Sequence, residues 1–278
     1  MTKHMGIAAL ENGRTAGVSF LRRPAHHASC TLVLLHGIGS NAHSFASLMS
    51  ALPPAIDAIA WNAPGYATST KLDIAAPGPR NYADVLATLL EALGLARVVL
   101  AGHSLGALFA ASFAASYPDR VTALALLSPA LGYNVQAGAP LPASVQARID
   151  EINTLGPTAF AAKRAPRLVA NPGIKPQVAA AVQSAMAAVN PAGYAQAVHA
   201  LGAGHLVADV AKVSMPTLVA VGSDDVITPP DNARAAYAAL RQGAGYCEIA
   251  GAGHACPQEE PAVLAKLLAQ LVEDVANG

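Results

Sequence analysis

The chain has 278 residues, of which 53% are apolar and 12% charged, and its 17 Lys and Arg balance 17 Asp and Glu. That composition excludes intrinsic disorder as the main state and offers no basic face to a nucleic acid. The length favours one large domain, or one with an insertion, with ample burial for a core that needs neither disulfides nor a structural metal. Mean hydropathy is +0.38, and Val98 to Pro118 is a run of 21 residues without Asp, Glu, Lys or Arg. A span of that length could cross a membrane. It divides instead into a β-branched strand, a Gly-His-Ser turn and an Ala-rich helix, so a soluble protein with an Ala-rich core and no membrane partner is expected. Met1 to Leu10 has no apolar segment closed by a small-residue cleavage site. Cys30, Cys247 and Cys256 stand at unrelated spacings and suit buried thiols in a reducing compartment. The expected location is cytoplasmic.

The elements follow in chain order. Ile7 to Leu10 and Thr15 to Leu21 read as two strands turned at Asn12-Gly13, a hairpin signal. Thr31 to Leu35 is a continuous apolar strand ending at His36-Gly37, the pattern of a strand covered on both faces. Phe45 to Leu52 is a short helix and Ile56 to Trp61 a strand. Helix Tyr82 to Leu93, strand Arg97 to Ala101, helix Ser104 to Tyr117 and strand Val121 to Leu127 continue the alternation. It resumes at strand Thr217 to Val221, helix Asn232 to Leu240, strand Tyr246 to Ile249 and helix Val263 to Val275. Alternation of this kind predicts an α/β fold with a mainly parallel central sheet flanked by helices.

Between those two stretches the alternation stops. Residues 131–210 show helical pieces at Ser144 to Asn153, Pro157 to Lys163, Gln177 to Val189 and Ala192 to Leu201, separated by Pro and Gly. They read as a helical cap inserted into a core made of residues 1–130 and 211–278. The cap carries five basic residues (Arg148, Lys163, Arg164, Arg167 and Lys175) against Asp150, Glu151 and Asp209. Such an excess most often marks a solvated face.

Gly102-His103-Ser104-Leu105-Gly106 lies where a strand meets a helix, the context that a nucleophile elbow requires. The reversal is so tight that small residues must flank the serine, and the helix N-terminus behind it favours developing negative charge. A serine hydroxyl needs a base, and the base needs an orienting acid. Gly222-Ser-Asp-Asp225-Val-Ile-Thr-Pro229 follows one late strand and Gly251-Ala-Gly253-His254 the next, so an acid and a histidine reach the same sheet edge as Ser104. Asp224 competes for the acid role, and the spacing to Gly222 and Pro229 favours Asp225. His103 is expected to bond locally within the elbow, and His43, His199 and His205 to be packing or surface residues. No HExxH or paired Cys/His spacing occurs, so no metal is expected.

With His36-Gly37-Ile38-Gly39, the elbow, the Gly222 to Pro229 run and Gly253-His254, the chain resembles the α/β-hydrolase superfamily over about residues 6 to 276. The resemblance implies an α/β-hydrolase fold with Ser104 as nucleophile, Asp225 as orienting acid and His254 as general base. It also implies an oxyanion hole from the N–H groups of Leu105 and Ile38, with Gly39 the alternative to Ile38. Gly37, Gly39, His103 and Arg164 are candidates for substrate contact. Asn62 and Ala67 stand where the family usually has Asp and Gly, at positions expected to be structural.

Among capped relatives the chain is most similar to 3-oxoadipate enol-lactonase-like esterases and lactonases, through Met215 to Val219, Asp225 to Pro230 and Gly251 to His254. That implies a cofactor-free serine hydrolase of a small-molecule ester or enol-lactone, as a monomer or small homo-oligomer. A carboxylate-bearing substrate would use the cap's excess charge, with Arg148, Lys163, Arg164 and Arg167 as the residues to test. The alternatives are a carbon–carbon bond hydrolase of ring-cleavage products and, in a different class, a non-catalytic ligand-binding scaffold. His36 to Ser40 and Gly106-Ala107 depart from the usual loops of the first. Scaffolds of the second kind often lose a triad member, and here all three are present.

Overall fold

Successive side chains of a strand point to opposite faces of its sheet, so a strand apolar throughout must be covered on both sides. Strands β3 (Thr31–Leu35), β4 (Asp57–Trp61), β5 (Val98–His103), β6 (Val121–Leu127) and β7 (Thr217–Gly222) are of this kind, buried at nearly every position. In the computed structural model, which describes residues 9–25, 28 and 30–276, they form the middle of one eight-stranded sheet. Adding β1 (Glu11–Thr15), β2 (Val18–Arg23) and β8 (Gly243–Ile249), the order is β1-β2-β4-β3-β5-β6-β7-β8. β1 and β2 run antiparallel at one edge, and β4 through β8 are mutually parallel. The exposed surface of 11810 Å² agrees with the ~11,000 Å² expected of a compact chain of this mass.

The alternation divides the interior in two. Val33, Leu35, Leu100, Leu124, Leu126 and Val219 face one core, packed under α2 (Pro79–Ala92), α3 (Leu105–Ser116) and α8 (Pro230–Ala238). Leu32, Leu34, Val99, Ala101, Ala125 and Leu218 face the other, under α1 (Ala46–Ala51) and α10 (Pro261–Ala276). The expected α/β architecture is the one observed. Among the described residues no helix is long and apolar enough to cross a membrane; the uncharged run from Val98 is instead β5, the elbow and α3.

The N-terminal hairpin differs from expectation. Ile7 and Ala8 lie outside the described residues, and Asn12-Gly13 sits inside β1. The turn is Ala16-Gly17, both at positive φ (48° and 76°), the combination that a two-residue type I′ loop needs. Gly13 pairs across the strands with Phe20, and a Cβ on it would lie 2.4 Å from the Phe20 ring. This glycine makes room for an aromatic ring that covers it and does not turn the chain.

Between β6 and β7 come α4 (Ala143–Arg164), α5 (Pro176–Ala187), α6 (Pro191–Ala203) and α7 (Leu206–Val210). α4 is two pieces broken at Gly156 (φ 73°) before Pro157, where Pro removes an N–H and disfavours a helical residue ahead of it. A short 3-10 turn, Ala165–Leu168, joins α4 to the loop before α5. The sheet order places β3 between β4 and β5, so the chain leaves β3 toward β4 and β5 toward β6, in opposite directions from the carboxyl edge. Ligands of open α/β sheets bind in such a crevice.

Candidate active site

Ser104 sits between β5 and α3 at φ 55° and ψ −115°, outside the regions that L-residues favour, at a cost of about 1–3 kcal/mol. Close approach of backbones enforces the turn. A Cβ on Gly102 would lie 2.2 Å from the Gly106 carbonyl oxygen, and one on Gly106 would lie 2.1 Å from that of Leu35. Register adds to this, since Leu35 is opposite Gly102, which brings the loop after β3 beside the elbow. A Cβ on Gly37 would come within 3.0 Å of the Ser104 Cβ.

Asp225 and His254 leave the carboxyl ends of β7 and β8 and are both buried. His254 Nδ1 and Asp225 Oδ2 are 2.9 Å apart. The second carboxylate oxygen, Oδ1, accepts from the N–H groups of Ile227 at 2.8 Å and Thr228 at 2.9 Å. Burial acts to raise the Asp225 pKa, but the facing His254 and the bonds from His254, Thr228 and Ile227 outweigh it and bring the pKa to about 2. Asp224, the competing acid, is exposed and accepts from the neighbouring Ser223 hydroxyl at 2.9 Å.

Sequence reading gave Thr228 no role, although it stands inside the run that pointed to Asp225. Its Oγ1 is 2.9 Å from both the Ser128 carbonyl and Asp225 Oδ2, and 3.1 Å from His254 Nδ1. It therefore braces the acid and histidine against the end of β6. His103 differs from expectation: its Nε2–H donates to the carbonyl of His254 itself at 2.7 Å, 151 residues away, and not within the elbow. Burial, with His254 close by, lowers its pKa to about 3, so the ring is a neutral donor.

The loop after β3 is fixed by two further groups. His36 Nδ1–H donates to the Gly37 carbonyl at 2.8 Å while its Nε2 accepts from the Ala63 N–H at 3.0 Å, an arrangement that needs a neutral ring. Burial lowers its pKa to about 4. The Tyr66 hydroxyl donates to the Ile38 carbonyl at 2.6 Å. Asn62 is structural, its amide accepting from the Ala42 N–H and donating to Ser19. Ala67 takes φ 48°, the conformation that a glycine would adopt without strain. The N–H groups of Ile38 and Leu105 make no hydrogen bond to a backbone acceptor among the described residues; Leu105 opens α3, and the first turn of a helix leaves its N–H groups without intrahelical partners.

These groups share one cavity of about 460 Å³, within the usual range for small-molecule sites. Its floor is Gly37, Ile38, Gly39, His103, Ser104, Leu105, Thr228 and His254. Its far wall comes from the helices between β6 and β7 and includes Leu168, Val182, Met186 and Tyr194 with Arg148, Arg164 and Arg167. Among the described residues no Asp or Glu lines it. Arg164 is tied to Glu151 through Nε at 2.6 Å and lies over the Phe160 ring. Lys163 does not line the cavity and also pairs with Glu151, at 2.6 Å. Arg148 and Arg167 have no carboxylate partner among the described residues. The four candidates for substrate contact (Gly37, Gly39, His103 and Arg164) all line the cavity, although two of them already have partners.

The family model described as the alpha/beta hydrolase fold matches residues 31–261. The chain belongs to that family. Among solved structures it is similar to an esterase from Thermogutta terrifontis with malate bound (TM-score 0.82, 24% identity, covering 97% of this chain and 100% of that one). It is likewise similar to the enol-lactonase of Burkholderia xenovorans LB400 (TM-score 0.83, 21% identity, covering 95% and 100%). At these identities the likeness is one of fold. A 2-hydroxy-6-oxononadienedioate/2-hydroxy-6-oxononatrienedioate hydrolase of Paraburkholderia phymatum is 35% identical over 106 residues, 37% of each chain. The chain thus spans little more than a third of the length of this curated relative.

Proposed function

We propose that this hydrolase is a serine hydrolase cleaving a small-molecule carboxylic ester or lactone, with Ser104 as nucleophile, His254 as general base and Asp225 as orienting acid. The observation that carries the reading is the 2.9 Å Asp225–His254 hydrogen bond beside a strained serine on the floor of one cavity. With Nδ1–H held by Asp225, Nε2 is the free nitrogen. It takes the hydroxyl proton as Ser104 Oγ bonds to the substrate carbonyl carbon. The carbonyl oxygen gains negative charge and is met by the unpaired N–H groups of Ile38 and Leu105, each such donor typically contributing roughly 2.7–4 kcal/mol to the transition state. His254 returns the proton to the departing oxygen as the carbon–oxygen bond breaks, leaving an acyl-enzyme. Water, deprotonated by the same nitrogen, then releases the acid. Asp225, ionised down to about pH 2, balances the imidazolium in both halves, and no step calls for a cofactor.

Residues 131–210 act as the cap in this reading, over a core of residues 1–130 and 211–278. A wall with three arginines and no acid supports a substrate that carries a carboxylate away from the reacting carbonyl, and Arg148 and Arg167 are the cations there without a carboxylate partner among the described residues. A second reading, carbon–carbon bond hydrolysis, is favoured by the local match to the hydroxy-oxo-dienedioate hydrolase, whose named substrate is a dianion. The deciding experiment is intact mass after fluorophosphonate treatment of the wild type and Ser104→Ala, followed by turnover of ester, lactone and ring-cleavage panels. One adduct on the wild type and none on the variant is expected, with Ser104→Ala losing about 10⁶-fold in kcat while remaining folded. A variant with wild-type ester turnover would refute the assignment.

A further inference from the structure

The N–H groups of the residues on either side of His254, Gly253 and Ala255, are both tied to the stretch from Leu168 to Ala170, at the end of the 3-10 turn. On one side the Ala255 N–H donates directly to the Leu168 carbonyl at 2.8 Å. On the other the link runs through a carboxylate: the Gly253 N–H donates to Glu259 Oε1 at 2.9 Å, and Glu259 Oε2 accepts from the Ala170 N–H at 3.0 Å. Lys175 closes the arrangement, with Nζ 3.4 Å from Glu259 Oε2, 3.0 Å from Glu260 Oε1 and 3.3 Å from the Gly251 carbonyl. Space is as tight as the bonding, since a Cβ on Gly253 would lie 2.6 Å from the Ala170 nitrogen.

Glu259 belongs to α9 (Cys256–Glu259), and its side chain has no exposed surface. A buried carboxylate is costly unless its oxygens are satisfied, and here two N–H groups and an ammonium from two separate stretches of chain satisfy it. It does not line the cavity, so its effect on chemistry must pass through the residue it holds.

We propose that Glu259 is a positioning residue which, with Lys175, clamps the helical segment to the residues on either side of His254 and so sets the imidazole in place. The seating of the cap and the placement of the base are then one event. This rests on His254 acting as the general base. A displacement of the order of 1 Å at a reacting group can cost about 10²-fold in rate.

The test uses the full-length chain with p-nitrophenyl acetate as probe, and the proton NMR signal of the His254 Nδ1–H bonded to Asp225 as a readout separate from turnover. Glu259→Ala is expected to lower kcat by about 10- to 100-fold, with KM within about twofold, and to shift or broaden that signal. Glu259→Gln keeps an oxygen for Gly253 but turns an N–H₂ group toward Ala170 or Lys175, and should recover part of the loss. Lys175→Met, at a partly exposed side chain, should show the same signature in smaller measure. If Glu259→Ala does not fold, the other two variants decide by the same readings. Unchanged kcat and an unchanged signal in a folded variant, or a change confined to KM or stability, would overturn the clamp. A wild type whose Ser104 takes no fluorophosphonate would instead defeat the functional reading, and the NMR signal would still decide the clamp.

Discussion

The loops at the carboxyl edge of the sheet and the helical wall opposite them are built by different means. At the sheet edge, positions are set by backbone: glycines at van der Waals limits, a serine at φ 55°, and main-chain N–H groups on Asp225. Across the cavity, long arginine side chains reach in from α4 and the 3-10 turn, and only Arg164 among the three is pinned by a carboxylate. The difference teaches a division of labour. Backbone-held groups suit a reaction coordinate that tolerates little displacement, whereas flexible cations suit recognition, where the partner differs from one substrate to another.

Substitutions can test that division, the rigid side first. Asp225→Asn should keep the fold but lose about 10⁴-fold in kcat, because the amide favours the wrong imidazole tautomer; a loss below tenfold in steady-state assays would break the comparison. Acid should weaken the rigid side next. His36 and His103 are held by burial at about 4 and about 3, while in the unfolded chain both take up protons below about pH 6.5. Between those limits the unfolded state binds more protons, so stability falls with pH by up to about 1.4 kcal/mol per unit for each ring. Asp225 adds its own loss only as pH falls from about 4 toward about 2. Urea titrations from pH 7 to 4 should therefore show several kcal/mol lost, and a flat profile would deny the neutral rings.

Smaller effects are expected at the margins. Thr228→Val removes the hydroxyl bridging Ser128, Asp225 and His254. A bond to a charged group is worth about 1.5–3 kcal/mol, so kcat should fall by roughly 10- to 100-fold with KM unchanged. Arg148→Ala sharpens the other half: KM for a carboxylate-bearing ester should rise about tenfold, equivalent to about 1.4 kcal/mol, with a neutral ester unaffected. Equal changes for both esters would remove the cationic wall from substrate choice.

The same division explains what could be read before the structure. The α/β alternation and the run of helices between β6 and β7 are legible because local patterns dictate them: continuous apolar strands, Gly and Pro breaks, and small residues where backbones touch. Asn12-Gly13 misled because glycine serves two purposes, and its use under the Phe20 ring depends on a partner strand that local sequence does not name. Local sequence pairs His103 with its neighbours in the chain, whereas its partner lies 151 residues away. Lys163 and Arg164 both read as cap cations to test against a carboxylate, and Arg164 as a substrate contact, whereas in the fold Glu151 pairs with both. Thr228 and Glu259 went unread for one reason: each acts through contacts between distant segments, and neither belongs to a spacing with a chemical meaning of its own.

The helix behind Ser104 has a thermodynamic side. Ten of the twelve residues of α3 are buried, and five of the twelve are alanine. Alanine surrenders no rotamer freedom on burial and is the best helix former. Ordering this segment therefore costs less side-chain entropy than ordering a core helix of leucine and methionine. The saving falls next to the one residue in the elbow whose backbone is held in an unfavourable conformation. A larger side chain on α3 would have to find volume in a close-packed interior, and there is least of it at Gly106, where a Cβ alone would lie 2.1 Å from the Leu35 carbonyl oxygen.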